Sequence, residues 1–336
     1  MVTSRQVARG VVRSMRAMDR AGRRAERARI AYAKAAQKEA LLAASAEAAR
    51  QYEDVIQALT ESHRVTLQMR DWRALATEAR VLPPERSSVL EDAARRTLEA
   101  YRPGWWARTF GFEASKRQKL TQAIAAAATR DEADFQDRIR RADARNAEID
   151  FAGRVLASDH DAVVSTLTHH SGLGALPYSL SAVKVVFGEA GRLVAVVDGL
   201  DLEDIPTESV TLLQSGRASF KAIAKGRVME LQRDNICSSA IRVAVEFVQA
   251  LARDEIEVVM HTNLLDPATG RIGREPVLYL RATAQALGAL NLPRTEPSAV
   301  IDRLGGHCSW SKRDGFRAVN LGPFAIPDHE LTAEDF

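Results

Sequence analysis

Only two cysteines, Cys237 and Cys308, occur in 336 residues. Two thiols so far apart in the chain form no disulfide framework and no zinc site, and they fit a reducing compartment. Cys237 lies in an apolar helical run and reads as a small core residue. Aromatic residues make up 6% of the chain, and no stretch approaches the ~20 apolar residues of a membrane-spanning helix. The N-terminus lacks the apolar block of a secretory signal. Its Arg-rich, acid-poor start resembles an organelle transit peptide, but the pattern runs on smoothly into a longer helix. A soluble, cytoplasmic protein is expected. Between Thr3 and Ala79 there is no proline, and the glycines there are Gly10 and Gly22.

Motifs that carry common chemistry are missing too. There is no G-x-x-x-x-G-K-[ST] loop, no G-x-G-x-x-G at a strand–helix junction and no G-x-S-x-G elbow. Gly172-Leu173-Gly174 precedes a proline and a strand, so it reads as a linker. No catalytic residue, metal ligand or cofactor is assigned, and the balance tilts away from an enzyme.

What the chain has in abundance is arginine at its start. Residues 1–30 hold nine arginines against Asp19 and Glu26, a local net of +7 inside an overall +3, so the remaining residues carry −4. Ala, Arg, Glu, Gln and Leu dominate through Ala79, which favours helix strongly. Arg9, Arg13, Arg16, Arg20, Arg24 and Arg27 recur every three or four residues and so share one helix face. Val7, Val11, Met15 and Met18 share another. The apolar side then turns alanine-rich at Ala33, Ala36, Ala40, Ala43 and Ala44. Small side chains bury little area, so this rod needs a partner, either another segment or a second copy. The six guanidiniums could be solvated or paired with acids of Glu113–Asp150. They could also neutralise phosphates of nucleic acid, or lie on anionic lipid or a partner protein.

Pro83-Pro84 ends this segment, and a helix is expected from Ser88, with Glu91 completing a capping box, to Tyr101. Trp105, Trp106, Phe110 and Phe112 read as a loop pinned into a groove, with a base-stacking platform as the sharper alternative. A long helix from Glu113 to Ala157 has the charge pattern of a coiled-coil hairpin. Ser158 is expected to cap a shorter helix ending near His170. The order then changes. A hairpin is expected over Val183–Asp198 and a further strand over Thr207–Leu213. A helix follows over Phe220–Ala252, then a second hairpin, Ile256–His261 with Pro276–Arg281, around the turn Asp266–Gly270. The resulting class is α+β: a helical, coiled-coil region over 1–171, an α+β domain over 172–325 and a tail over 326–336. In the second domain a helix packs on a small antiparallel sheet in the order strand-strand-helix-strand-strand.

Two polar clusters combine residue types that can bind metal. Asp159-His160-Asp161 and His169-His170 contain metal-ligand types, but adjacent helical residues diverge by about 100°, and carboxylates favour a helix start. Asp198, Asp201, Glu203 and Asp204 form an acidic loop after a strand, where a metal-dependent nuclease keeps one of its ligands. Glu275-Pro-Val-Leu-Tyr-Leu-Arg281 lacks the matching acid–lysine pair, so the loop reads as solvated.

The run Ile256-Glu-Val-Val-Met-His-Thr-Asn-Leu-Leu-Asp-Pro-Ala-Thr-Gly270, followed by Arg274-Glu-Pro-Val-Leu-Tyr-Leu-Arg281, resembles bacterial, mostly actinobacterial, restriction-system proteins. So do the hairpin Val183–Asp198, the Asp204-Ile-Pro206 loop with its following helix, and Gly104-Trp-Trp-Ala-Arg-Thr-Phe-Gly111. The likeness extends over about residues 25–315, though Thr262-Asn263-Leu264 stands where relatives carry Asn-Gly. In many such proteins this region precedes an Mrr-like nuclease domain, which is not expected within these 336 residues. The resemblance implies an accessory or sensing module related to DNA restriction and phage defence, and the arginine stripe adds the expectation that its basic arm binds DNA or a partner, with a nuclease or ATPase as candidate partner enzymes. No functional residue carries over from it. The alternatives are a divergent Mg-dependent nuclease using Asp198, Asp204 and Glu275, or a structural coiled-coil scaffold that assembles as a homo-oligomer through the helical region.

Overall fold

The structure, a computed structural model, describes residues 4–105, 112–175, 180–188, 192–322 and 334–335. Side chains are described from position 26 onward within these, apart from 28, 175, 180, 181, 334 and 335. In chain order the helices are α1 Ser4–Glu61, α2 Trp72–Ala76, α3 Val89–Ala100, α4 Phe112–Leu156, α5 His160–His170, α6 Lys225–Leu251, α7 Ala284–Gly288 and α8 Pro297–Arg303. The strands are β1 Leu180–Phe187, β2 Leu193–Gly199, β3 Glu208–Leu212, β4 Ala218–Ala222, β5 Glu255–Leu265, β6 Ile272–Thr283, β7 His307–Ser311, β8 Gly315–Arg317 and β9 Glu334–Asp335. Two compact units result. One gathers residues 1–67, 172–246 and 254–336, and the other 68–171 and 247–253.

The first unit is α+β. Its main sheet runs β8-β7-β6-β5-β2-β1-β9. The two expected hairpins are present, β1 with β2 and β5 with β6. Instead of a wholly antiparallel sheet, however, they join through a parallel β2–β5 pair, so the sheet is mixed. The reason is the connection. The chain leaves the end of β2, passes through β3, β4 and α6, and re-enters at the other edge of the same strand. Leu193 to Val197 of β2 are buried without alternation, as suits a strand covered on both faces. Val186, Val194, Val196, Val259 and Tyr279 pack together on one face. On the other, Ile236 of α6 and Met260 crowd Gly199, so a Cβ there would have to push the Ile236 side chain aside. Ile236, Ala240, Val243 and Ala244 are wholly buried, as the amphipathic pattern of α6 requires.

Three boundaries differ from the sequence reading. Residues Ala218–Ala222 form β4, paired with the expected β3 as a separate two-stranded sheet, so the helix starts at Lys225 rather than Phe220. The N-terminal helix stops at Glu61, well before Ala79, because the next turn is held by side chains of α6, described below. The unit division also differs from one at 171/172. α1 belongs with the α+β unit because Leu59 packs with Ile205, Val228 and Leu231, flanked by Val55 and Ile56. Of the tail over 326–336, Glu334–Asp335 pairs with β1, and the rest lies outside the described residues.

The second unit is helical. Trp72 is 1% exposed, donates Nε1–H to the Ala250 carbonyl at 2.5 Å and meets Phe151 edge-on at 5.9 Å. The α4 residues Ala142, Ile149, Ala152 and Val155 form its buried side. Asn146 reaches across to both backbone groups of Val81. Ser88 does precede α3, but its hydroxyl donates to Asp92, and the N–H groups of Leu90 and Glu91 go to the Asp131 carboxylate of α4, not to a capping box. Asp159, not Ser158, caps α5, accepting from Ala162 N at 3.0 Å. That matches the helix-start reading of the Asp-His-Asp cluster. Of the aromatic loop, Trp105 and Phe112 are exposed rather than pinned in a groove, and 106–111 lie outside the described residues.

Candidate nucleic-acid interface

The arginine stripe rests on α1, which is continuous over 58 residues, roughly 87 Å at 1.5 Å per residue. At about 100° per residue, positions 9, 13, 16, 20, 24 and 27 fall within an arc of about 80°. The Arg27 side chain is exposed; those of Arg9, Arg13, Arg16, Arg20 and Arg24 lie outside the described residues. Residues 29–40 are exposed throughout, Tyr32 at 79%, and so are Ala43 and Ala44. The alanine-rich side therefore has no cover from the described residues over this stretch; Leu42, half-buried, reaches Gly216, and the first buried residues are Ser45 and Ala49.

A buried polar network seats the base of the arm. His63 and Ser238 are both wholly buried. His63 Nε2 is 3.1 Å from the Thr295 carbonyl, which can only accept, so Nε2 carries the proton. Nδ1 then accepts from the Ser238 hydroxyl at 2.9 Å, and that oxygen receives the His63 backbone N–H at 3.1 Å. Burial holds His63 below its ordinary pKa, the Thr295 bond opposing, so the neutral ring that this pattern requires is the favoured one. A serine hydroxyl on a histidine nitrogen is also how a nucleophile is activated. Here both partners are sealed from solvent, and the pair is structural.

The acidic loop sits at the carboxyl ends of β2 and β5, and its groups are already engaged. Arg274 Nε donates to Asp198 at 2.5 Å. Asp201 accepts from Asn263 N at 2.7 Å, Asn263 Nδ2 at 2.6 Å and Thr262 Oγ1 at 2.8 Å. Burial pushes the Asp201 carboxyl up, but these three bonds outweigh it and hold it below the usual range. Asp204 accepts the Asp201 N–H, and Glu275 stands opposite Thr262 across the β5–β6 ladder. Among the described residues no three His, Cys, Asp or Glu side chains are grouped so as to hold a metal ion, Asp198, Asp204 and Glu275 included. The nuclease constellation is therefore not assembled. An open groove of about 690 Å³ lies between the end of α1 and the start of α6, lined by Tyr52, Ile56 and Ile223 together with the polar Glu53, Glu61 and Arg227.

His261, the register partner of Asp198, is the strongly shifted group of this region. Burial lowers its pKa to about 4, with Arg274 acting in the same direction and Asp198 against it. The folded state thus binds the proton less readily than the unfolded chain, with its ordinary value of ~6.5. Stability is full above that value and is lost as pH falls from about 6.5 toward 4. We expect urea melts to show a loss of about 2 kcal/mol from this site between pH 7 and 4.5. His261→Phe should remove that part of the acid limb and leave the contribution of His63. An identical acid limb in the variant would contradict the assignment.

Comparison with protein-family models, with curated proteins and with solved structures gave no match. No helix among the described residues is long and apolar enough to cross a membrane. His63, Ser238 and the Asp201–Asn263 bracket were not found from the sequence. The members of each are separated in the chain and converge only through the docking of α1 on α6 or of β2 beside β5.

Proposed function

We propose that this chain is a non-catalytic accessory or sensing protein of the restriction and phage-defence kind that binds nucleic acid through α1. The observation that carries the reading is the unbroken helix Ser4–Glu61, whose register puts six arginine positions on one side. Two further features support it. Residues 1–30 hold the net +7 within a chain of overall +3. The α4 carboxylates Glu132, Asp137, Glu148 and Asp150 already have arginine partners within their own unit. Chemistry would come from a partner nuclease or ATPase. Fluorescence anisotropy with a short DNA duplex at rising KCl tests the proposal. The full chain is expected to bind and to weaken steeply with salt, and a chain lacking residues 1–30 to lose that binding. Equal binding by both would end the reading.

A second reading, self-association through α1, draws on the exposure of residues 29–40. Helical stability in proteins comes mostly from packing a face rather than from propensity alone. Light scattering that finds a monomer at all concentrations would exclude it.

A further inference from the structure

The two cysteines, remote in sequence, meet where α6 lies along β7. Their meeting is part of a register. Lys312 Nζ, just past β7, lies 2.6 Å from Glu230 Oε1, and the Arg233 guanidinium sits 4.6 Å over the Trp310 ring. One step further along, the Cys237 thiol hydrogen-bonds Cys308. Positions 230, 233 and 237 share one helix face, and 308, 310 and 312 share one strand face. Three unlike contacts therefore fix the same alignment. Cys237 is buried, whereas Cys308 is exposed, its thiol partly covered.

We infer that Cys308 is a peroxide-reactive thiol and Cys237 its resolving partner, so that a hydroperoxide converts the pair to a disulfide joining α6 to β7. The Cys308 thiolate attacks the terminal oxygen of ROOH. An S–O bond forms, the O–O bond breaks, and the leaving alkoxide takes up a proton to depart as ROH. Cys308 is left as the sulfenic acid. The Cys237 sulfur then attacks the Cys308 sulfur. The S–S bond forms, the S–O bond breaks, and hydroxide leaves as water with the thiol proton. Two thiols give up two electrons, which reduce ROOH to ROH and water. The hydrogen bond from Cys237 holds the Cys308 thiol below its ordinary pKa, aided by Arg233 and opposed by burial and Asp302, and so favours the reactive thiolate. β7 is held to β6 by the register pairs Leu278↔Cys308 and Tyr279↔His307, so the cross-link would fasten this short strand to the central helix.

The test treats the full chain with hydrogen peroxide and reads intact mass and free thiols after denaturation. Wild type is expected to lose two hydrogens, to fall from two titratable thiols to none, to stay monomeric on a non-reducing gel, and to recover both thiols with dithiothreitol. Cys237→Ser should instead trap a sulfenic acid that dimedone labels, or advance to the sulfinic acid. Cys308→Ser should resist peroxide, because the remaining thiol is sealed. Cys308→Ala, with a circular dichroism spectrum matching wild type, guards against misfolding as the cause of that resistance. Wild type that keeps both thiols, that oxidises to the sulfinic acid as readily as Cys237→Ser, or that cross-links between molecules would overturn the inference.

Discussion

Replacing the arginines at 9, 13, 16, 20, 24 and 27 with glutamine should flatten the salt dependence of nucleic-acid binding while leaving α1 helical. Each phosphate neutralised by a guanidinium releases counterions, and log affinity falls with log salt by about 0.9 per contact. The stripe runs for about 27 Å of helix, and duplex DNA offers one charge per ~1.7 Å of its axis, so phosphates are not limiting. Six contacts give a slope near −5, or roughly a thousandfold loss of affinity between 50 and 200 mM salt. Glutamine sits close to arginine in helix propensity, so circular dichroism should show little change, and any loss of binding reads on charge. Lysine at the same six positions should retain most of the slope, because counterion release depends on charge rather than on guanidinium geometry. A glutamine variant that binds with the wild-type slope would remove the stripe from the interface. Binding to anionic vesicles but not to duplex would move the arm to a membrane surface.

The fold was legible where pattern and propensity act locally. Both hairpins, the strand at Glu208–Leu212 and the amphipathic half of α6 follow from alternation, turn residues and the 3.6-residue period. At the Asp266–Gly270 turn Gly270 has a φ of +67°, a conformation that side chains disfavour, and the Asp266 carboxylate accepts from Ala268 N and Thr269 Oγ1. Features set by distant partners were not legible. Nothing in the run from Glu61 to Ala79 stops a helix. α1 ends there because Ser238 of α6 takes the His63 backbone N–H, a contact 175 positions away. Similarly, Ser88 and Glu91 form a good capping pattern, yet Asp131 of α4 supplies the acceptor that the first turn of α3 uses. The parallel β2–β5 pair could not be read from hairpins alone, since each hairpin is antiparallel and only the crossover decides how the two meet.

The candidate site divides in the same way. The arginine stripe is a periodicity, and it was visible because a helix converts spacing into a face. The acidic loop looked available in the sequence because its partners are remote. Asp198 is paired with Arg274, and the Asp201 carboxylate is hydrogen-bonded by Asn263 and Thr262, all supplied by the second hairpin. The two cysteines posed the same difficulty, since spacing in the chain says nothing about the register of α6 on β7.

Glu246→Ala should destabilise the α+β unit more than any surface substitution, by about 3–5 kcal/mol. The residue is 1% exposed, its carboxylate lies 2.7 Å from Arg242 Nη2, and it accepts the Gly172 backbone N–H at 2.7 Å. Arg242 is itself largely buried, and its Nη1 donates to the Ser62 carbonyl at 3.3 Å, in the turn that follows α1. Removing the carboxylate leaves a guanidinium away from water without its counter-charge and a backbone donor without its acceptor. The cost is that of an unpaired buried ion rather than of one hydrogen bond. Since domains are stable by only about 5–15 kcal/mol, such a change should be plain in a denaturant melt. Glu246→Gln keeps an oxygen for Gly172 and should cost less. The decisive comparison is the double variant Glu246→Leu with Arg242→Leu, which removes both charges and fills the space with carbon. Its loss should be well below the sum of the two single losses, since neither partner is then left alone. Strict additivity would mean that the two charges are independently solvated, and the pair would then have no part in holding the turn that carries α1.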